Sequence, residues 1–304
     1  MTKYNKTREW LINMYINALK ENSIPWRNRW QSNEQINGIT NVAYKGVNQL
    51  LLSFISSKEG YKDIRWLTYL QIKSKGYKLK NAKGKGVPVE FWSVYDIKNK
   101  CKIDLDEYQK IIDKCPELKD NYKLFCNTSH VYNAECIEGL EPINIENKSN
   151  NIKEIPKFIN NVINNFKIKY EEKGNMAYYV PSLDKIFLPN KDKFIDNYSY
   201  YATLLHELCH ATGHKKRLNR LNIKNKLDRA REELIAEISS SFLMAKLKVD
   251  AKAEHYDNHK AYIQSWISLL ENNPSELFKA INESNKVTDY ITINSKEKNR
   301  DKER

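Results

Sequence analysis

The sequence predicts an α+β protein of two domains, a mixed first half and a mainly helical second half with a small β-hairpin. Helical and strand-like periodicities follow one another without strict alternation, the chain has 304 residues, and its composition shifts near residue 140. Apolar residues at 40% and aromatics at 11% supply a sizeable core and exclude a wholly disordered chain. The longest run without Asp, Glu, Lys or Arg is 46–57, short of the roughly 20 apolar residues that span a membrane. Five cysteines are an odd number and fit free thiols in a reducing compartment. Charge and Asn interrupt the N-terminus before a secretory signal can form, so the expected location is cytoplasmic and no membrane partner is expected.

Taken in order, 7–22 reads as an amphipathic helix, with Trp10, Leu11, Met14, Tyr15, Ala18 and Leu19 at 3–4 spacing until Ser23-Ile-Pro25 stops it. Residues 44–57 read as helical after Gly46, and 66–75 as a short helix ended by Gly76. A Lys/Gly loop at 81–86 precedes a strand at 87–97, and 122–127 is a further strand candidate. The polar, Asn-rich stretch 138–156 marks a linker. Beyond it come a helix at 156–165 and a hairpin of 177–180 and 185–188 around Pro181-Ser-Leu-Asp184. Helices follow at about 197–212, 229–248, 256–271 and 274–290. The expected domains are 1–140 and 156–292, joined by a linker at 141–155, with a charged, disordered tail at 293–304.

Formal net charge is +13, and it is local: 65–102 is net +8 and 208–231 net +7, the footprint of a polyanion partner or of a solvated lysine-rich face. In the first half, aromatics interleave with basic residues. Trp26, Tyr44, Trp66, Trp92 and Tyr95 stand among Lys45, Arg65, Lys78, Lys80, Lys83 and Lys85. Unstacked bases can lie on such rings while lysines follow the phosphates, so these residues are candidates for binding single-stranded DNA, although many of the rings must belong to the core.

The most specific chemistry lies at His206-Glu207-Leu208-Cys209-His210, an HExxH motif in a helical pattern. Residues four apart share a helix face, so both imidazoles converge on one tetrahedral metal while Glu207 projects beside it. The metzincin third ligand would fall at 216, which is Lys216. Downstream, Arg231-Glu-Glu233-Leu-Ile-Ala-Glu237 lies on another helix, with Leu234, Ile235, Ile238 and Phe242 on its apolar side. Carboxylates facing a core are costly unless bound to something positive. Glu233 is therefore the expected third ligand, Glu237 the acceptor from a ligating histidine, and Glu232 the competing ligand.

Two histidines and a glutamate leave a fourth position for water, a catalytic Zn²⁺ site with Glu207 as general base. The strand 185–188 is expected as an edge on which an extended protein or peptide substrate could pair. His214, four beyond His210, is expected in outer contact with a ligand or substrate rather than on the metal. His255 and His259 read as surface or core residues, and Cys126, His130 and Cys136, which lack CxxC pairs, as structural.

The run Tyr200–His214, then Arg217-Leu-Asn-Arg220 and Glu232-Glu-Leu-Ile-Ala-Glu237, closely resembles the ArdC-type antirestriction proteins of plasmids and other mobile elements. The resemblance extends to Ala177–Pro181, Asp184–Pro189, Tyr262 and Trp266. In the first half it rests on Pro25-Trp26, Tyr44–Asn48, Arg65–Gln71, Lys83–Pro88 and Glu138–Leu140. It implies an N-terminal α+β domain that binds single-stranded DNA, a C-terminal zincin-like metallopeptidase domain, and protection of incoming DNA from host restriction. A similar first domain occurs on plasmid primases, and the HExxH helix is also similar to that of SprT-like proteases, which digest proteins on DNA. Two alternatives therefore stand beside the antirestriction reading: a protease for DNA–protein crosslinks or a cytoplasmic target, and a non-enzymatic DNA-binding protein with a structural metal.

Overall fold

The structure, a computed structural model, describes residues 6–21, 33–143, 154–248 and 260–296. Trp26, His255, His259, most of the expected linker and the charged tail beyond 296 lie outside the described residues. The chain divides into two compact units, one of residues 1–36, 42–64 and 143–304, the other of 37–41 and 65–142.

In the first unit, α1 (Lys6–Lys20) buries Leu11, Ile12, Tyr15, Ala18 and Leu19 while Trp10 stays exposed. The second helix, α2 (Gly46–Glu59), ends on Gly60, whose φ of 73° is the left-handed turn that glycine enters without strain. A buried polar cluster ties α2 to the chain before it: Gln35 N–H donates to Gln49 Oε1 and Ser56 Oγ to Gln35 Oε1, both at 3.0 Å. α1 packs on α8 (Lys260–Asn272) and α2 on α9 (Ser275–Asn294). This departs from the contiguous domain expected over 1–140: the apolar stripes of the first two helices are covered by helices from the far end of the chain.

The rest of this unit carries the HExxH segment. After α5 (Glu154–Phe166), the strands β8 (Lys169–Glu172), β9 (Tyr178–Val180) and β10 (Lys185–Leu188) form a sheet in the order β8-β10-β9. β9 and β10 make the expected hairpin, with Lys185 opposite Val180. The expected edge at 185–188 is corrected: β10 is central, because the unforeseen β8 pairs parallel along its other side, and β9 is an edge. Helices α6 (Asn197–Thr212) and α7 (Lys226–Lys246) pack together, and α7 in turn packs on α8 and α9. Leu234, Ala236, Ile238, Leu243, Trp266, Leu270, Leu277 and Ile281 are fully or almost fully buried there.

The second unit is built on a five-stranded sheet, ordered β1 (Ile36–Asn37), β2 (Arg65–Thr68), β6 (Tyr122–Asn133), β4 (Val87–Asp96) and β5 (Cys101–Ile103). The helix expected over 66–75 begins later. Residues 65–68 are strand, and α3 (Tyr69–Ser74) starts behind a capping box in which Thr68 and Gln71 satisfy each other's backbone N–H. A two-stranded ladder of β3 (Lys78–Leu79) and β7 (Ile137–Glu138), together with α4 (Leu105–Lys114), completes the unit. α4 packs on β4, with Tyr108 edge-on to Tyr122 at 5.3 Å.

Candidate metal centre

The Asp196 carboxylate caps the N-terminus of α6 by accepting the Ser199 N–H, and the helix runs to Gly213. Gly213 has ordinary helical φ, so its reason is space: a Cβ there would lie 2.6 Å from Leu221 Cγ, where the chain doubles back. Two arginines of that return close the helix end. Arg217 Nε donates to Ala211 O and Arg220 to Cys209 O, both at 2.6 Å, adding side-chain donors to carbonyls of the last turn.

On the α7-facing side, His206 Nε2 and His210 Nε2 stand 3.0 Å apart, and Glu233 Oε2 is 3.5 Å from each. These atoms all lie within 4.8 Å of one another, the one such His/Cys/Asp/Glu group among the described residues. Ligands about 2.0–2.1 Å from a tetrahedral ion are about 3.3 Å from each other, so the three atoms already have the spacing that a bound ion needs.

The outward nitrogens meet carboxylates. His206 Nδ1 is 3.3 Å from Glu237 Oε1. His210 Nδ1 is 3.0 Å from Glu232 Oε1, and Glu232 also accepts from Arg220 at 2.8 and 3.1 Å. Glu232 lies on the far side of His210 from the group formed by His206, His210 and Glu233.

Burial opposes a charge on His210, but its hydrogen bonds to Glu232 and Glu233 outweigh that and push its pKa up to about 10. Burial likewise opposes ionisation of Glu232 and Glu233, yet bonds from the histidines, and from Arg220 to Glu232, hold both below the usual carboxylate range. With Glu207 buried on the same helix, four carboxylates accompany two imidazoles and one guanidinium. This excess of negative charge, with imidazole and carboxylate donors, fits a divalent cation.

Residues that sequence reasoning did not assign also appear. Tyr262 of α8 lies near Glu233: burial, followed by the Glu233 charge, raises its phenol above the ordinary value. It stacks along Trp266 at 6.0 Å, whose indole donates to Ala230 O at 3.2 Å, so α8 is pinned beside the ligand helix. The motif resemblance named Tyr262 and Trp266, but their spacing carried no signal of this contact. His214 contacts no ligand: its Nδ1 accepts from Lys216 N–H at 3.2 Å and lies 3.8 Å from Asp184.

The basic residues fare differently. Of the +7 window, Arg217 is bound by Asp184, Arg220 by Glu232 and Arg231 by Glu276, so part of that charge is matched by acids outside the window. In the first half, Trp66 has no exposed surface and Tyr44 little, which corrects both as stacking rings: each sits in a core that a base cannot enter. Arg65 donates to Glu141 O at 2.7 Å. Lys45, Lys78, Lys80, Lys83 and Lys85 are exposed, Tyr95 is partly so, and Trp92 is 38% exposed with its indole N–H on Glu90 at 3.1 Å.

Comparison with known proteins agrees with both halves of this description. Residues 5–125 match the family described as the N-terminal domain of anti-restriction factor ArdC, and 157–283 that of zincin-like metallopeptidases. Two DNA primases named TraC from Escherichia coli are each 32% identical over 91% of this chain. The chain spans about a quarter and a fifth of those primases, 26% and 19% of their lengths. The antirestriction protein ArdC of plasmid R388 matches in its metal-free crystal structure, with a TM-score of 0.73 at 25% identity over 96% of this chain and 98% of that one. Its Mn(II)-bound structure gives 0.72 at 26% identity, covering 95% of this chain and 97% of that one. Two consecutive family matches and a structural match across nearly the whole chain place this protein in the ArdC-type antirestriction family, with a C-terminal zincin-like domain.

Proposed function

We propose that this chain binds single-stranded DNA and shields incoming mobile-element DNA from restriction, and that it carries a one-zinc metallopeptidase site on His206, His210 and Glu233. The observation that carries the metal reading is the convergence of two imidazole nitrogens and one carboxylate oxygen, with both outer imidazole nitrogens facing further carboxylates. A divalent ion held there polarises a carbonyl and brings the pKa of bound water toward ~7. With such an ion bound, Glu207 would serve as general base, taking the proton of the attacking water and passing it to the leaving amine nitrogen. The edge strand β9, beside α6, offers backbone on which an extended peptide can pair. Lys78, Lys80, Lys83 and Lys85, all exposed, supply phosphate contacts.

The test compares wild type with Glu233→Ala and Glu207→Gln. Glu233→Ala should lose metal by elemental analysis. Glu207→Gln should keep it while peptide hydrolysis falls by about 10²–10⁴-fold, the range for losing a general base. Full metal occupancy in Glu233→Ala would overturn the ligand set. Undiminished protection of DNA by Glu207→Gln would separate shielding from peptide cleavage.

A further inference from the structure

We infer that the uncovered end of one face of the β4–β6 sheet, bearing Phe91, Phe125 and Tyr95 with Lys102 and Lys123, is the platform on which single-stranded DNA stacks. The inference rests on the DNA-binding reading above and says where the strand lies. The β4–β6 ladder is unbroken from Val87 opposite Val131 to Asp96 opposite Tyr122, so side-chain faces follow directly from register. Residues directly opposite share a face, as do residues two apart. One face therefore shows, rank by rank, Lys102–Tyr95–Lys123 across three strands, then Ser93 with Phe125, then Phe91 with Asn127.

Two observations mark this face. The first is exposure. At its far end the face is closed by Val87, Val89 and Val131, at most 4% exposed, whereas Phe91 is 43% and Phe125 50% exposed. Rings left this open on a regular sheet keep about half of their apolar area available to a partner. On the reverse face Val94 is fully buried and Tyr122 meets Tyr108 of α4, while Leu124 is 41% and Trp92 38% exposed, so it is charge that separates the two faces.

The second is charge. Along the paired stretches of β4, β5 and β6, the proposed face carries Lys102 and Lys123 and no acid, while the reverse carries Glu90 and Asp96 and neither Lys nor Arg. Both lysines are exposed, and neither is in an ion pair among the described residues. Rings that accept any base, flanked by cations for the phosphates, suit a single strand whose base faces are bare, and duplex DNA hides those faces. Trp92, a ring the sequence suggested, points to the acidic side and donates to Glu90.

Fluorescence anisotropy on the full chain with a labelled 20-nucleotide oligothymidine and with a duplex of equal length tests this across a salt series. Phe91→Ala/Phe125→Ala should weaken single-strand binding by about tenfold or more at every salt concentration, with little effect on the thermal midpoint, and Phe91→Tyr/Phe125→Tyr should restore it. Lys102→Gln/Lys123→Gln should flatten the log-affinity against log-salt slope by about 1.4, about 0.7 for each phosphate released. Trp92→Ala should stay within about twofold of wild type. Wild-type affinity in the double alanine variant, or equal losses on single strand and duplex, would overturn the platform while leaving DNA binding intact. Failure of the wild type to bind single strands at all would instead remove the DNA reading on which it stands.

Discussion

The helix pair α6–α7 and the strand pair β4–β6 use their polar and aromatic groups in opposite ways. Around the helix pair charged side chains are committed to one another: Glu232 to His210 and Arg220, Glu237 to His206, and, at the end of α6, Asp184 to Arg217. On the sheet, Phe91, Phe125, Lys102 and Lys123 face outward with no such commitment among the described residues. A centre that must hold an ion to within tenths of an ångström needs side chains already restrained, because each loose rotamer would have to be ordered on binding. A surface that accepts any base along a flexible strand needs area and charge more than fixed geometry. Single substitutions should therefore abolish the first and only scale the second.

The largest expected effect is at His206. His206→Ala removes a ligand outright, and metal content should fall from one ion per chain to near none by elemental analysis. If instead the ion were retained at wild-type affinity, the contrast between a restrained centre and a graded surface would collapse. Next comes Asp184→Asn. Asp184 and Arg217 are 14% and 3% exposed, and removing one partner of a buried pair costs about 3–5 kcal/mol, which urea unfolding should show. Burial raises the Asp184 pKa, but the bonds from Arg217 and Tyr179 outweigh it and leave it depressed. A depressed folded pKa means that this contribution is present above the unfolded value, near pH ~4, and is lost as pH falls through the folded one. Wild type and Asp184→Asn should accordingly converge in stability in strong acid.

Smaller still, Glu232→Gln keeps a hydrogen bond to His210 but loses the charge behind it, and metal affinity should drop about 10–100-fold in a chelator competition. Smallest per residue are Lys78, Lys80, Lys83 and Lys85. Replaced together by Gln, they should reduce the salt slope of single-strand binding by about 2.8, with each change adding a similar share. An all-or-none loss from any one lysine would show that the basic surface is as restrained as the metal centre.

What could be read without coordinates follows the same division. The convergence of His206, His210 and Glu233 was legible because a helix converts spacing into direction: the two histidines are four apart, and a carboxylate among apolar residues on a second helix had to face something positive. The β9–β10 hairpin was legible from Pro181-Ser-Leu-Asp184. The partners of α1 and α2 were not, because an apolar stripe states that something covers it and not what. β8 was missed for want of periodicity in Lys169–Glu172, and its absence turned β10 into an apparent edge. Exposure of rings was least legible of all. Trp66 and Phe91 are both aromatic residues of sheet strands, and the difference between 0% and 43% exposure comes from what else packs there. Charge counted along the chain misled in the same way, since Arg217 and Arg231 find Asp184 and Glu276 from distant segments.

Arg220 links Cys209 and Thr212 at the end of α6 to Glu232 of α7, 9% exposed and bonded on both sides. That clasp is made wholly of protein atoms, so the helix pair does not depend on an ion for its shape. A chelator should then strip the metal and leave the circular dichroism spectrum and oligonucleotide affinity unchanged, unlike a zinc finger, which unravels. Cations can leave and re-enter on the timescale of ligand exchange rather than of refolding. Occupancy in the cell then follows the supply of free divalent ions weighted by the Irving–Williams order, and the same chain can be loaded differently in hosts that buffer their metals differently.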